Sequence, residues 1–418
     1  MSIGYACLAL GVPETKIGAV IKKNASEKKL LELTEANLEA LENLIEYNIR
    51  SGIRLFRISS DLIPFGSSPV NKLPWWEIFK ERLEQIGARA LAAGMRLSMH
   101  PGQYTVLNSP RLEVVENAIL DLAYHARVLD GLGAGPEHKI VLHLGGVYDD
   151  RQAALRRFAD HYRLLDHKIK RRLIIENDER LYDIEAVLEV GRALGIPVVF
   201  DNLHHQINPP QVVRSEREWV RLCRETWADS DGPQKIHYSQ QAIGKRPGAH
   251  TDTIYIQEFM AFYDALGQDK PDIMLEVKDK NLSAVKCINC TRPEKGIKAL
   301  EREWSFYKYR VLESSQSIYC EIRELLKDKD AYPAVEFYSL IEAALQREIN
   351  PGEAVNAALH VWGYFKDRAT EEERKTFAKS LAGFQAGTIS LKALKGRLYR
   401  MAEKYDRPYL LSSYYFVL

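Results

Sequence analysis

The sequence predicts a (β/α)8 barrel followed by an all-α domain, and three observations carry that prediction. Eight short β-rich runs alternate with amphipathic stretches through roughly the first 280 residues, a length that suits a barrel. The first run, in "GYACLALGV", lacks the glycine-rich phosphate turn that a doubly wound open sheet wants after its first strand. Beyond about residue 300 the pattern becomes helical, with no clear strand.

The strand runs come in order as "IGYACLA" (3–9), "IRLFRISS" (53–60), "RLSMH" (96–100), "KIVLHLGG" (139–146), "LIIEN" (173–177), "PVVFDN" (197–202), "KIHYS" (235–239) and "DIMLEVK" (272–278). Between them, 29–50 and 112–130 carry apolar residues at helical spacing. "ALGIP" (193–197) reads as a helix end feeding a strand, with a glycine stop and a proline restart. Segments 300–327, 332–347, 351–367, 370–386 and 389–405 read as helices, and Thr370 with Glu373 has capping-box spacing. We therefore expect a barrel domain over 1–295 and a helical domain over 305–418, with no repeats or low-complexity segments.

A chain of 418 residues suits two domains, and 46% hydrophobic with 28% charged residues is ordinary for a globular core. The formal net charge of +1 neither marks nor excludes a nucleic-acid partner, because a local basic groove can sit inside a neutral total. The stretch "MSIGYACLALG" does not read as a signal peptide, and no apolar run approaches the roughly 20 residues of a membrane helix. Five cysteines do not make a disulfide framework. These features predict a soluble, cytoplasmic protein with no membrane contact and no obligate protein partner. "CINC" places Cys287 and Cys290 in a C-x-x-C pair; with no second pair, two plain thiols are the first reading and a redox or metal role the second.

Chemistry concentrates at the C-terminal ends of the strands, the rim where barrel enzymes keep their active sites. His100 ends the third run and His143 lies in the fourth. Glu176 and Asn177 end the fifth, and Asp201 ends the sixth with His204 and His205 behind it. His237 lies in the seventh with Lys235 two residues earlier on the same face, His250 and Asp252 follow in its loop, and Glu276 lies in the eighth. Singly, each is an ordinary loop residue. Together they would be costly to bury without cations. Imidazole plus carboxylate suits zinc, manganese, iron or cobalt, and about eight ligands call for two or three ions. Such a site favours phosphodiester hydrolysis first and sugar isomerisation second.

The motifs "GYACLAL", "FRISSDLIPFGS", "MHPGQYTVLNSP", "VLHLGGVYDD", "IIENDE", "VVFDNLHH", "KIHYSQ" and "LEVKDKNLSA" resemble the ultraviolet damage endonuclease family, in order, over about residues 1–290. The resemblance implies a DNA repair enzyme that nicks damaged double-stranded DNA immediately 5′ to a lesion, leaving a 3′-hydroxyl and a 5′-phosphate. Its lesions would be pyrimidine dimers, 6-4 photoproducts and abasic sites. It implies three divalent ions per site, manganese first, with zinc, cobalt or magnesium as alternatives. Their ligands would be His100, His143, Glu176, Asp201, His204, His237, His250 and Glu276. Glu176, Lys235, His237 and Glu276 would be catalytic, with Lys235 matching a lysine that is carboxylated in the family. Gln103 and Tyr104 match a pair that wedges into the duplex, which is consistent with the low cost of unstacking a damaged dinucleotide. Tyr5 matches a tyrosine of the lesion pocket, and Ala9 stands where relatives have an asparagine.

Arg57, Ser59 and Lys278 are candidate phosphate contacts. So are Lys245 and Arg246 of "GKRPG", which reads equally as a solvated turn. "KIKRR" (168–172) should lie at the opposite end of the barrel as a solvated charge run. The C-terminal stretch, with His360, Gly363, Tyr364, Phe365 and Lys366 in an "H-x-x-GYFK" motif, resembles the YbgA-like DUF1722 family over about 305–418. Its tyrosines and lysines fit either a nucleic-acid or nucleotide surface or a plain helical core. Competing readings for the barrel are an apurinic endonuclease, a xylose-isomerase-like sugar isomerase and a non-catalytic lesion-binding module.

Overall fold

The computed structural model describes residues 1–148, 150–268 and 270–418. The chain divides into two compact units, one of residues 1–9, 13–254 and 261–285, the other of 10–12, 255–260 and 286–418.

In the first unit all eight expected strands form, each shorter than its apolar run. They are β1 (Ile3–Ala6), β2 (Leu55–Arg57), β3 (Arg96–Met99), β4 (Lys139–His143), β5 (Leu173–Glu176), β6 (Val198–Val199), β7 (Lys235–Tyr238) and β8 (Asp272–Leu275). Every named pairing is parallel, in the order β6-β5-β4-β3-β2-β1-β8-β7. A parallel bridge between Asp201 and His237 joins the two outer strands, with the His237 N–H donating to the Phe200 carbonyl at 3.0 Å. The sheet thus closes into a barrel. Continuous apolar runs such as "LIIE" are buried along their whole length because helices cover one face and the barrel interior the other.

Helix Glu27–Ser51 and helix Leu112–Gly131 match the two amphipathic stretches. Helix Ile184–Leu194 ends at Gly195, whose φ of +66° is the left-handed cap that glycine adopts freely. The expected solvated run at 168–172 fails at its end. Arg172 is fully buried, donating to the carbonyls of Ala134 (2.6 Å) and Gly135 (2.5 Å) and to Asp130 (2.5 Å). Its guanidinium satisfies a turn that charge pattern alone does not reveal.

The second unit contains helices Ile297–Ser314, Gln316–Leu325, Ala334–Leu345, Pro351–Trp362, Glu371–Gln385 and Leu391–Lys404. The single helix expected over 300–327 is two. Ser315 is extended (φ −164°, ψ 110°), and its hydroxyl accepts from the Ile318 N–H as the cap of the second. Thr370 and Glu373 form the expected capping box. The core of this unit includes Leu312, Val361, Phe365, Leu394, Leu398 and Tyr415.

Candidate metal centre and the rim around it

Strand register sets one level of the barrel mouth. β4 and β5 pair so that His143 stands opposite Glu176, and the Asp201–His237 bridge brings β6 and β7 to the same rim. Glu176, buried at the end of β5, is the hub. Its Oε1 lies 2.7 Å from His237 Nδ1 and 3.8 Å from His204 Nδ1. Its Oε2 lies 3.3 Å from His100 Nε2 and 3.7 Å from His143 Nε2. Glu276 Oε1 is 3.3 Å from His237 Nδ1, and Asp201 Oδ1 is 3.7 Å from His204 Nδ1.

Three groups able to hold a metal ion result: His100–His143–Glu176, Glu176–Asp201–His204 and Glu176–His237–Glu276. The ligand atoms within each lie within 4.8 Å of one another. Glu176 belongs to all three.

Local structure aims these side chains. Asp201 caps helix Asn202–Ile207 by accepting the His204 N–H at 2.8 Å, which holds His204 one turn away on the same side. Asn177 clamps the pair: Oδ1 accepts the Asp201 N–H (2.9 Å), Nδ2 donates to the Asp201 carbonyl (3.1 Å), and the Asn177 carbonyl is 2.9 Å from His204 Nδ1. A bond there turns His204 Nε2 outward, toward Glu179 Oε2 at 3.8 Å. The sequence reading treated Asn177 only as a strand end and missed Glu179; the "IIENDE" motif contains both.

Electrostatics follow from burial and crowding. Burial alone would raise the Glu176 carboxyl, but His237, His100 and His143 outweigh it and hold the group well below the usual range. Glu276 also sits well below: burial opposes ionisation, and Arg57, at 2.6 Å, followed by His237, overcomes it. Burial pushes His100 down to about 4, which favours the neutral ligand form. Burial pushes His204 down too, but Asp201, Glu176 and Glu276 raise it to about 9. Lys235 is buried on β7, and desolvation, reinforced by Arg96 and Arg57, depresses its amine far below an ordinary lysine.

The donor set fits metal ions. His143 Nδ1, Asp201 Oδ2, His237 Nε2 and Lys235 Nζ are buried with no hydrogen-bond partner among the described residues. Each such atom costs about 1–3 kcal/mol, so the three on rim residues point to ligands rather than packing, with Lys235 at the start of β7 beneath them. Imidazole nitrogens with carboxylate oxygens match borderline divalent ions.

Other expected residues fall elsewhere. His250 pairs with Gln241 in an antiparallel bridge and joins none of the three groups. Gln241, which the sequence reading missed, organises that loop: its side chain donates to the Arg246 carbonyl (3.0 Å) and accepts from the Gly248 N–H (2.8 Å), leaving Lys245 and Arg246 exposed. His205 packs by Phe200 and Trp219 instead of entering the cluster. Arg57 is committed to Glu276, whereas Lys278 is exposed and bonded to Asp252 at 2.8 Å. Ser59 accepts the Asp61 N–H at 3.2 Å. Cys287 is buried and Cys290 half-buried on helix Asn281–Thr291; burial pushes the Cys290 thiol up to about 12.

Tyr5 requires a correction. It is fully buried, its hydroxyl donates to Asn48 of helix Glu27–Ser51 at 2.9 Å, and its ring meets Phe56. Strand alternation turns it toward the helix layer, away from a lesion at the rim. Ala9, two residues past β1, is buried too.

Gln103 and Tyr104 stand on the turn after β3, both exposed, Tyr104 by 73%. Gly102 leaves room for the Tyr104 ring, since a Cβ on it would lie 2.4 Å from that ring where it now rests. The turn is anchored behind the exposed pair by Thr105 Oγ1, which donates to Asp121 Oδ2 at 2.6 Å. His125 contacts the Asp121 carbonyl through one nitrogen and Ser60 Oγ through the other, and Ser60 donates to the His100 carbonyl at 2.9 Å. One hydrogen-bonded chain therefore supports both the protruding loop and a rim histidine. A cleft of about 250 Å³ beside the loop is lined by His100, Gln103, His143 and Glu179.

Residues 3–301, the barrel with its whole rim, match the model of the UV-endonuclease UvdE family. The chain belongs to that family. A UV DNA damage endonuclease of Clostridium perfringens (strain 13 / Type A) is 37% identical over 386 residues, 91% of this chain and 92% of that protein. One of Bacillus cereus (strain Q1) is 31% identical over 283 residues, 67% of this chain and 88% of that protein. Among solved structures, the crystal structure of SacUVDE is 37% identical with a TM-score of 0.67, covering 71% of this chain and 99% of that one. Residues 308–418 of the UvdE-family chain match a second model, a protein of unknown function (DUF1722). Among the described residues no helix is long and apolar enough to cross a membrane.

Proposed function

We propose that this UvdE-family endonuclease nicks duplex DNA immediately 5′ to ultraviolet photoproducts, leaving a 3′-hydroxyl and a 5′-phosphate, and that it also accepts abasic sites. The observation that carries the reading is the convergence of three ligand groups on the single carboxylate of Glu176. His100, His143, Glu176, Asp201, His204, His237 and Glu276 would hold the ions, three in number and manganese first, with His250 entering from its loop. When bound, such ions neutralise phosphate charge and lower the pKa of water. In the balanced step a water oxygen bonds to phosphorus, the P–O3′ bond breaks, and the leaving 3′-oxygen takes up a proton.

The chain's own residues position that step. Arg57 fixes Glu276 from behind, and Asn177 fixes Asp201 and His204. Gln103 and Tyr104 project from an anchored turn, free to fill the gap left when a poorly stacked dinucleotide leaves the helix. Exposed Lys245, Arg246 and Lys278 offer charge to the backbone. Burial on β7 depresses the Lys235 amine and so favours the neutral form that adds CO2: nitrogen bonds to carbon and releases one proton, giving an anionic carbamate. Carbon-13 NMR after growth with labelled bicarbonate reads that modification directly. The site of action is the cytoplasm.

The deciding experiment uses end-labelled duplexes carrying one thymine dimer, one abasic site or no lesion, with Mn2+ or chelator. Cleavage 5′ to the dimer, absent from intact DNA and abolished by chelator, is the expected result. Cleavage of the abasic duplex alone would remove photoproduct recognition from this reading. No cleavage with metal bound would overturn it.

A further inference from the structure

The DUF1722 unit carries a cleft of about 700 Å³, within the size range of small-ligand sites. Its floor is charged and buried. Glu313 and Arg310, on helix Ile297–Ser314, lie beside Lys395 of helix Leu391–Lys404. Glu313 Oε1 is 3.2 Å from Lys395 Nζ and 3.4 Å from Arg310 Nη1, and only 1% of the Glu313 side chain is exposed. Two atoms of this floor are buried without a hydrogen-bond partner among the described residues: Glu313 Oε2 and Arg310 Nε. One accepts and the other donates, so two hydrogen-bonding groups of opposite sense lie unused beneath the cleft.

The rim has different chemistry. Lys392 and Arg400 are exposed and join Arg310 and Lys395 in the lining, where Glu313 and the Leu418 oxygen, at 3.2 Å from Lys395 Nζ, are the acceptors. Tyr399 is 37% exposed and packs edge-on against Phe416, with ring centroids 5.4 Å apart. This leaves an aromatic face on the same side as the cations.

Gly396 is an independent sign that the space is kept open. It sits inside helix Leu391–Lys404, where glycine costs about 1 kcal/mol relative to alanine. A Cβ there would meet only the tip of Arg400, at 3.9 Å. No internal packing demands this glycine, and it lines the cleft.

We propose that this cleft binds one nucleotide. Lys392 and Arg400 hold its phosphate, Tyr399 stacks on the base, and Glu313 with Arg310 pairs with the donor–acceptor edge of the base. A phosphate needs the cations, and a flat ring with both donors and acceptors needs the aromatic face and the unpaired floor. A free nucleoside monophosphate and the phosphorylated end of a single strand share this chemistry.

The test is calorimetric titration of the full chain in chelator. The probes are UMP, CMP, AMP, GMP, inorganic phosphate and a 5′-phosphorylated single-stranded pentanucleotide. We expect one nucleotide per chain, and binding at least about tenfold weaker in Gly396→Met, which fills the cleft, and in the rim variant Lys392→Ala/Arg400→Ala. Glu176→Gln, in the barrel, should bind as the parent does. Tighter binding of the pentanucleotide would support a strand end as the natural ligand, and equal binding a free nucleotide. The proposal is overturned if no probe binds at millimolar concentration, if Gly396→Met binds as well as the parent, or if phosphate alone binds as tightly as the nucleotides.

Discussion

At the N-terminal end of the barrel Arg96, Lys139 and Arg172 are buried against Asp272, Asp231 and Asp130; at the C-terminal end Glu176, Asp201 and Glu276 are buried among histidines and Arg57. Both ends carry charge that a core would normally exclude. They differ in how it is satisfied. Lys139 Nζ donates to Asp231 (2.5 Å) and the Arg171 carbonyl (2.8 Å). Arg96 reaches Asp272 (3.3 Å) and the carbonyls of Glu137 (2.9 Å) and Asp231 (3.1 Å). At the other end His143, Asp201 and His237 each keep a buried atom unpaired. Buried charge that is fully hydrogen-bonded supports the fold, whereas buried lone pairs left over mark where a ligand belongs.

The largest expected effect comes from removing the hub of the unsatisfied end. Glu176→Gln should lower dimer-dependent nicking by about a thousandfold, while the variant stays folded in chelator with only a modest drop in unfolding temperature, because the histidines favour the ionised carboxylate. A large loss of stability in that variant would mean the mouth is structural after all. The converse variant, Arg172→Ala, should cost about 3–5 kcal/mol of barrel stability in urea titration, because it takes a buried donor from the carbonyls of Ala134, Gly135 and His138 and one of the two arginines from Asp130. Its folded fraction should keep parental turnover. If turnover falls without a stability loss, the two ends are not functionally distinct.

Asn177→Ala sharpens the contrast, since Asn177 supports ligands without supplying one. Metal affinity should weaken about 10–100-fold, with activity restored by excess metal. A defect that metal cannot rescue would place Asn177 among the groups acting on the DNA. The smallest expected effect is on pH dependence in chelator. His204 is raised to about 9 against an unfolded value near 6.5. Its contribution is therefore full below 6.5 and is lost as pH rises through 9. Thermal melts should show a decline over that window, absent in His204→Gln. A decline that persists in His204→Gln would assign the titration to another group.

The rim was legible because strand ends carry most of its chemistry. His100, His143, Glu176, Asp201, His237 and Glu276 fall at matching points of successive apolar runs, and a closed parallel barrel has one rim for such points. Tyr5 misled because the resemblance alone assigned it to a lesion pocket, whereas alternation along β1 turns its ring toward Asn48. Arg172 misled because a run of five basic and apolar residues reads as solvated, whereas the carbonyls it satisfies come from a turn nearly forty residues earlier. Ser315 gave too weak a signal to split a helical segment on its own.

The order of strands along the chain, the periodicity of helices, the capping of helix Glu371–Gln385 and the candidate ligands at the strand ends are local properties, so the amino-acid sequence by itself determined them. The register that sets His143 against Glu176, the pairing of Arg57 with Glu276, the desolvation that depresses the Lys235 amine and the buried charge around Glu313 were decided only in the tertiary structure. Each depends on residues far apart in the chain, or on loss of water, and neither distance nor solvation is encoded at a single position.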